Sequence, residues 1–129
     1  GALRGDYDND GDHDLLVTNI NDNAELLRND GPIRFPALRL VLIGRSSNRS
    51  AYGAQVRVES GGISQLLELR ASDGYVGSND PRTLVYLPGG TADFIEVRWP
   101  GGSVTQLEQE GPGWLLVDEV RGVIARQSP

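Results

Sequence analysis

Short apolar runs separated by turn residues dominate this chain, and most of them alternate with a period of two. In Gln55-Val56-Arg57-Val58-Glu59 the valines fall on one face, and Gln55, Arg57 and Glu59 fall on the other. In Phe94-Ile95-Glu96-Val97-Arg98-Trp99 the same rule puts Ile95, Val97 and Trp99 inward and sends Glu96 and Arg98 to water. A period of two is that of a half-buried antiparallel strand. Read this way, the chain predicts strands at 15–19, 25–29, 38–43, 55–59, 65–70, 84–87, 94–99, 104–107, 114–120 and 123–125. Ile63, Leu66, Leu67 and Arg70 also fit helical spacing. Gly61-Gly62 before them looks like a hairpin turn, which favours a strand and leaves one short helix as the alternative. No other segment has room for a helix of ten residues. The fold class is all-β: a small antiparallel β-sandwich or barrel-like domain.

Seventeen glycines and seven prolines punctuate these runs, as strands joined by turns require. At 129 residues the chain is long enough for one domain with a real core. A boundary falls near Asn29-Asp30-Gly31-Pro32, dividing 1–31, a strand–loop–strand unit, from 32–129, a β domain. Thirty residues with two strands cannot bury a face of their own. The first unit is therefore expected to pack on the second, or to be one repeat of a longer array. The absence of Met and the single copy of this unit fit a piece processed or excised from a larger protein.

Composition narrows the chemistry. Without cysteine there are no disulfides, zinc–thiolate sites or thiol catalysis, and export is weakly favoured. The longest apolar run, Leu40-Val41-Leu42-Ile43, is far too short to span a bilayer. A net charge of −6 argues against nucleic acid and anionic membranes as partners. That charge is concentrated, because Asp6, Asp8, Asp10, Asp12 and Asp14 lie within nine residues and the rest is close to neutral.

Read as positions 1 to 9, Asp6-Tyr7-Asp8-Asn9-Asp10-Gly11-Asp12-His13-Asp14 places acids at 1, 3, 5 and 9 and glycine at 6. Calcium takes six to eight oxygens, and alternate carboxylates converge when the chain curls around the ion. Gly11 permits the sharp turn. Asp12, at position 7, is expected to offer its main-chain carbonyl, and Asp14 closes the shell from the start of the next strand. An EF-hand would need an acid at position 12, which is Val17 within a strand, so the loop is not one. The metal assignment is Ca2+ on Asp6, Asp8, Asp10, Asp12 and Asp14; an acidic turn without metal is the plain alternative.

The segment from Gly5 to Leu15, with Val17 and Asn19 after it, resembles an FG-GAP/VCBS repeat of the integrin-α type β-propeller. Leu26-Leu27-Arg28-Asn29 is similar to the second strand of such a blade. The remainder resembles the ASPIC/UnbV domain of cartilage acidic protein and of exported bacterial proteins. The matching stretches are Leu38-Arg39-Leu40-Val41, Ser46-Ser47-Asn48-Arg49-Ser50 and Gly53-Ala54-Gln55-Val56-Arg57-Val58. Further on come Asp73-Gly74-Tyr75-Val76-Gly77-Ser78-Asn79-Asp80 and Ile95-Glu96-Val97-Arg98-Trp99-Pro100-Gly101-Gly102. One departure is Val85-Tyr86-Leu87-Pro88-Gly89-Gly90, where the family more often has a Phe-Gly-Leu-Gly type turn. The resemblance implies a secreted, periplasmic or cell-surface protein, with calcium bound in the propeller part and the parent's remaining blades as neighbours.

No catalytic constellation can be assembled. His13 is the only histidine and stands at loop position 8, where side chains usually point to solvent. The chain has no lysine and no phosphate-loop pattern. Asn48-Arg49-Ser50 matches a glycosylation acceptor, though Asn48 and Arg49 are expected to shape a loop instead. Tyr75, Asn79 and Asp80 sit in a polar loop of the kind that contacts ligands. Trp99 belongs to the core, and Trp114 is expected to be partly exposed. The reading is a non-catalytic calcium-binding interaction or adhesion module whose partner is a protein or glycan at the cell surface. A carbohydrate-binding module stacking sugars on Tyr75 and Trp114, or an accessory domain of a secreted enzyme, is the alternative.

Overall fold

The computed structural model describes residues 1–32, 34–72 and 77–128, and among them there are eleven strands and no helix. β1 (Ala2–Gly5), β2 (Asp14–Val17) and β3 (Glu25–Leu27) form an antiparallel sheet in chain order. β4 (Ala37–Ile43), β7 (Thr83–Tyr86), β10 (Gly113–Asp118) and β11 (Gly122–Gln127) form a second sheet, ordered β11-β10-β4-β7. β5 (Gln55–Ser60), β6 (Ile63–Glu68), β8 (Ala92–Arg98) and β9 (Val104–Glu110) form a third, ordered β6-β5-β8-β9. The last two sheets enclose the main core and do not close into a barrel.

The alternating positions build that core. Leu38, Leu40 and Leu42 from β4 join Val85, Leu115 and Val117. The facing sheet supplies Val56, Val58, Ile95 and Val97, with Trp99 beside them. Each fully buried aliphatic side chain here contributes about 1.5–3 kcal/mol of transfer free energy. Trp99 is buried as expected, and its indole N–H donates to Thr105 Oγ1 at 2.9 Å. Glu96, expected in water, is instead covered. Arg98 Nε donates to it at 2.8 Å and Gln106 Nε2 at 3.0 Å, so its carboxyl is held below the usual range.

One pairing departs from the antiparallel expectation. β4 and β10 run parallel, with Arg39 opposite Trp114 and Ile43 opposite Asp118. Alternation alone does not distinguish the two senses of pairing. The β1 strand was also absent from the predicted set, because Ala2-Leu3-Arg4-Gly5 is too short to show a period. Ile63–Glu68 is a strand, which removes the helical alternative. Ser60 pairs with Ile63 across Gly61 (φ +55) and Gly62 (φ +79), a two-residue hairpin turn with both central residues left-handed. This hairpin tip meets the turn at 87–90: Ser60 Oγ donates to Thr91 O at 2.7 Å and accepts from Gly89 N at 3.0 Å.

At the opposite end Glu119 organises the loop after β4. Its Oε2 accepts the backbone N–H groups of Arg45, Ser46 and Ser47 at 2.7–2.8 Å. Its Oε1 accepts the hydroxyls of Ser47 and Ser103 at 2.8 and 3.1 Å. Burial opposes ionisation here, but these donors outweigh it and hold the carboxyl at about 2. Asn48 continues the loop, its amide bonding both Tyr52 N and Tyr52 O, so the side chain of the acceptor-like triplet shapes the turn.

Two predictions follow from these loops. A Cβ on Gly61 would lie 2.7 Å from Gly89 N, whereas one on Gly62 meets nothing within 4 Å. Gly61→Ala should therefore cost about 3 kcal/mol and Gly62→Ala about 1, read by urea unfolding. Because the folded pKa of Glu119 is depressed, its stabilisation is complete above its ordinary value of 4.5 and is lost as pH falls towards 2. Glu119→Gln should flatten the acid limb of the stability profile across that window.

Candidate metal loop and its junction with the sandwich

The loop joining β1 to β2 carries Asp6, Asp8, Asp10 and Asp12, and Asp14 opens β2. Gly11 has φ +106, the left-handed turn expected of it, and Asn9 is left-handed as well, at φ +62. Asp8 Oδ1 accepts Asp10 N at 3.3 Å and Asp10 Oδ1 accepts Asp12 N at 3.1 Å, two successive aspartate turns that curl the chain. Asp14 fixes the two ends, taking Tyr7 N and Asn29 N on its two oxygens, both at 2.9 Å.

This curl brings Asp6, Asp8 and Asp14 together, with one carboxylate oxygen from each lying within 4.8 Å of the others. Asp10 and Asp12 do not join that group among the described residues. Asp10 is exposed, while Asp12 turns its side chain inward and is only 8% exposed. Burial, then the charges of Asp10 and Asp14, push the Asp12 carboxyl up. Asp6 Oδ1 and Asp12 Oδ1 are buried with no hydrogen-bond partner among the described residues. Buried carboxylate oxygens without a donor are costly and rare. His13 does not point to solvent. It is half-buried, its Nδ1 lies 3.2 Å from Tyr86 Oη, and the rings meet edge to face. Burial lowers the pKa of His13, and nearby Arg4 adds to that effect.

The loop docks on the outer face of β4. Arg39 lies there, 6% exposed, opposite the leucines of the core. Its Nε donates to Asp6 Oδ2 at 2.6 Å and its Nη2 lies 2.5 Å from the same oxygen. Arg82, just before β7, donates to the Asp6 carbonyl and to Asn9 Oδ1, each at 2.7 Å. Both guanidinium groups lie over the Trp114 ring, at 5.5 and 5.1 Å from its centroid. Trp114 is half-buried, and this ring is engaged by cations of the chain itself.

The 77–82 segment continues this junction. Asn79 Oδ1 accepts Arg4 N at 3.0 Å, and Asp80 N donates to Arg4 O at 3.2 Å, along the free edge of β1. Arg82 grips the Asp80 carboxylate through Nε at 2.6 and 2.8 Å. Burial of Asp80 works against its charge, but the Arg82 bonds prevail and its pKa is lowered. Thus two expected ligand contacts, Asn79 and Asp80, both bond to the N-terminal sheet or its neighbours, while Tyr75 lies outside the described residues. A cleft of about 550 Å3 opens alongside, with Arg4, Asp6, His13, Arg39, Asp80 and Arg82 on its wall.

Arg39 and Arg82 were not singled out from the sequence, and Trp114 was expected as a partly exposed sugar-stacking platform, not as the seat of two guanidinium groups. Only Arg39 carried a signal, as a cation inside the apolar run 38–43. The parallel register that places Arg39 beside Trp114 has no local signature.

The loop at 44–52, the hairpin at 55–68 and the strands up to β10 also match a known pattern: the family model described as ASPIC and UnbV covers residues 44–117, more than half the chain. The chain belongs to the ASPIC and UnbV family. No curated protein matches it. The matched part of the ASPIC/UnbV domain begins after the acidic loop and after β4, yet β4 is central to the sandwich. Domains of this family are found in proteins of extracellular type. Among the described residues no helix is long and apolar enough to cross a membrane.

Removing one partner of a buried ion pair leaves the other uncompensated. Asp6→Ala should therefore destabilise the chain by about 3–5 kcal/mol, and Asp6→Ala with Arg39→Met should recover at least half of that. Chemical unfolding of the three variants at one pH checks the cycle.

Proposed function

We propose that this ASPIC/UnbV chain is a non-catalytic extracellular module in which calcium acts as a structural ion on the acidic loop and the β domain engages a protein partner. The observation that carries this reading is the convergence of one carboxylate oxygen each from Asp6, Asp8 and Asp14, together with an Asp6 Oδ1 that is buried with no hydrogen-bond partner among the described residues. A hard divalent cation is the natural partner for such oxygens, and calcium tolerates the irregular shell of a loop better than magnesium does. Asp6, Asp8 and Asp14 would hold it, with Asp10 and Asp12 completing or charging the loop. The ion supplies positive charge that lets these carboxylates remain close; the residues supply the curl and its anchors.

A structural role for the ion fits the surroundings. The acids Asp6 and Asp80 on the cleft wall are committed to Arg39 and Arg82, and His13 to Tyr86, so each is occupied in holding the fold. The sequence of the N-terminal unit resembles a propeller repeat, and its Leu15, Leu16, Leu26 and Leu27 are 37–49% exposed. These leucines suit packing against further blades of a parent propeller. The family's setting supports a secreted, periplasmic or cell-surface location.

Isothermal titration with calcium, and separately with magnesium, tests the metal assignment. Calcium should bind with a Kd between about 1 μM and 1 mM, the range of extracellular modules, and magnesium more weakly. Asp8→Ala with Asp10→Ala should abolish the calcium heat. An unchanged isotherm in that variant would place the ion elsewhere.

A further inference from the structure

Of the three converging aspartates, Asp6 is the one that also pairs with the sandwich, through Arg39. Asp6 is 4% exposed: its Oδ2 accepts from the Arg39 guanidinium, its Oδ1 is buried with no hydrogen-bond partner among the described residues, and one of its two oxygens lies within 4.8 Å of carboxylate oxygens of Asp8 and Asp14. Arg39 belongs to a central strand of the sandwich and is itself 6% exposed. Arg82 holds the carbonyl of the same aspartate, and both guanidinium groups stack on Trp114 of β10. Close packing reinforces the joint. A Cβ on Gly11 would sit 3.5 Å from Ala37 Cβ and 3.7 Å from Arg39 Nη2, and one on Gly5 would lie 3.1 Å from Asp80 Cβ.

Resting on the calcium reading, we propose that Asp6 is a coupling residue through which occupancy of the loop sets the stability of the ASPIC/UnbV sandwich. The physical reason is that one carboxylate serves two cations. A bound ion would hold Asp6 in place, and a fixed Asp6 keeps Arg39 from becoming a buried, unpaired charge in β4. When the loop loosens, the carboxylates repel one another, Asp6 is free to leave, and the penalty falls on the sandwich. Asp8 lacks this second role: it is exposed, its Oδ1 accepts Asp10 N, and its nearest cation is Arg28 of the same N-terminal unit, at 3.8 Å. The two ligands thus differ in what they do for the rest of the chain.

The tryptophans make this measurable. The chain has two, Trp99 and Trp114, both in the sandwich and none in the N-terminal sheet, so thermal unfolding followed by tryptophan fluorescence reports on the sandwich. At calcium 100 times the Kd found by titration calorimetry, the wild-type fluorescence midpoint should rise by about 10 °C. In calcium-free buffer Asp6→Asn should lower that midpoint by at least about 10 °C, while Asp8→Asn leaves it unchanged or slightly higher as repulsion is relieved. Asp8→Asn should also lose the calcium response. If calorimetry records binding and the wild-type midpoint does not move, the coupling is wrong and the calcium site stands. If calorimetry records no binding, both fall. Equal losses from Asp6→Asn and Asp8→Asn without calcium would also overturn the coupling. Should Asp6→Asn fail to fold alone, recovery of a folded chain by Asp6→Asn with Arg39→Met supports it, and failure of that double variant to fold overturns it.

Discussion

The buried ion pair of Asp6 and Arg39 is the constraint around which this molecule is arranged. Taking a carboxylate and a guanidinium out of water costs several kcal/mol each, and only close geometry with further donors offsets that cost. Here the offset is assembled from separate parts of the chain: β4 supplies the cation, the first loop the anion, and the segment before β7 a second guanidinium. The indole of Trp114, on β10, lies beneath both cations. Lose any one and the others are left in an environment built for partners. The pair adds little net stability over an apolar contact, but it admits few alternative ways of seating the N-terminal sheet.

The topology explains why these parts meet. A parallel pairing of β4 and β10 lays the start of the β domain beside its end, and the register puts Arg39 and Trp114 side by side on the outer face. The inner face of the same strand carries Leu38 and Leu40 into the core, so β4 is buried on both sides over its first half. The two ends of the sandwich are then closed by different means. At one end two glycine turns touch backbone to backbone, and at the other Glu119 gathers three consecutive N–H groups. Both are short-range devices that need a particular residue at one position, and neither depends on the acidic loop.

Much of this was legible in the chain itself. Alternation in 55–59 and 94–99 identified the inward residues correctly, because those strands have one wet and one dry face. It misjudged Glu96, since a residue facing outward can still be covered by the long side chains of Arg98 and Gln106. The acidic spacing pointed to a loop that gathers carboxylates, and Asp6, Asp8 and Asp14 do converge. What spacing could not convey was which aspartates would turn inward. That depends on Arg39 and Tyr86, more than twenty residues away in sequence, and pairwise contact at such separation leaves no local pattern. His13 was misjudged for the same reason, because Tyr86 draws it in.

The loop's electrostatics also bear on the calcium reading proposed above. Arg39 and Arg82 already bring positive charge to the inner side of the loop, yet they address Asp6 and Asp80, and carboxylate oxygens of Asp6, Asp8 and Asp14 still lie within 4.8 Å of one another. Asp14 accepts two backbone N–H groups, and Asp8 and Asp10 each spend an oxygen on a turn, so hydrogen bonding is met for these three but not for Asp6 Oδ1 and Asp12 Oδ1. Their charges remain. Hydrogen bonds from neutral amides orient a carboxylate without cancelling its field on its neighbours. At separations under 5 Å in a partly buried loop that field is weakly screened. A divalent ion, as proposed above, would remove this residual repulsion in one step. On that reading the ion would act on a loop that the arginine of the sandwich already holds in place.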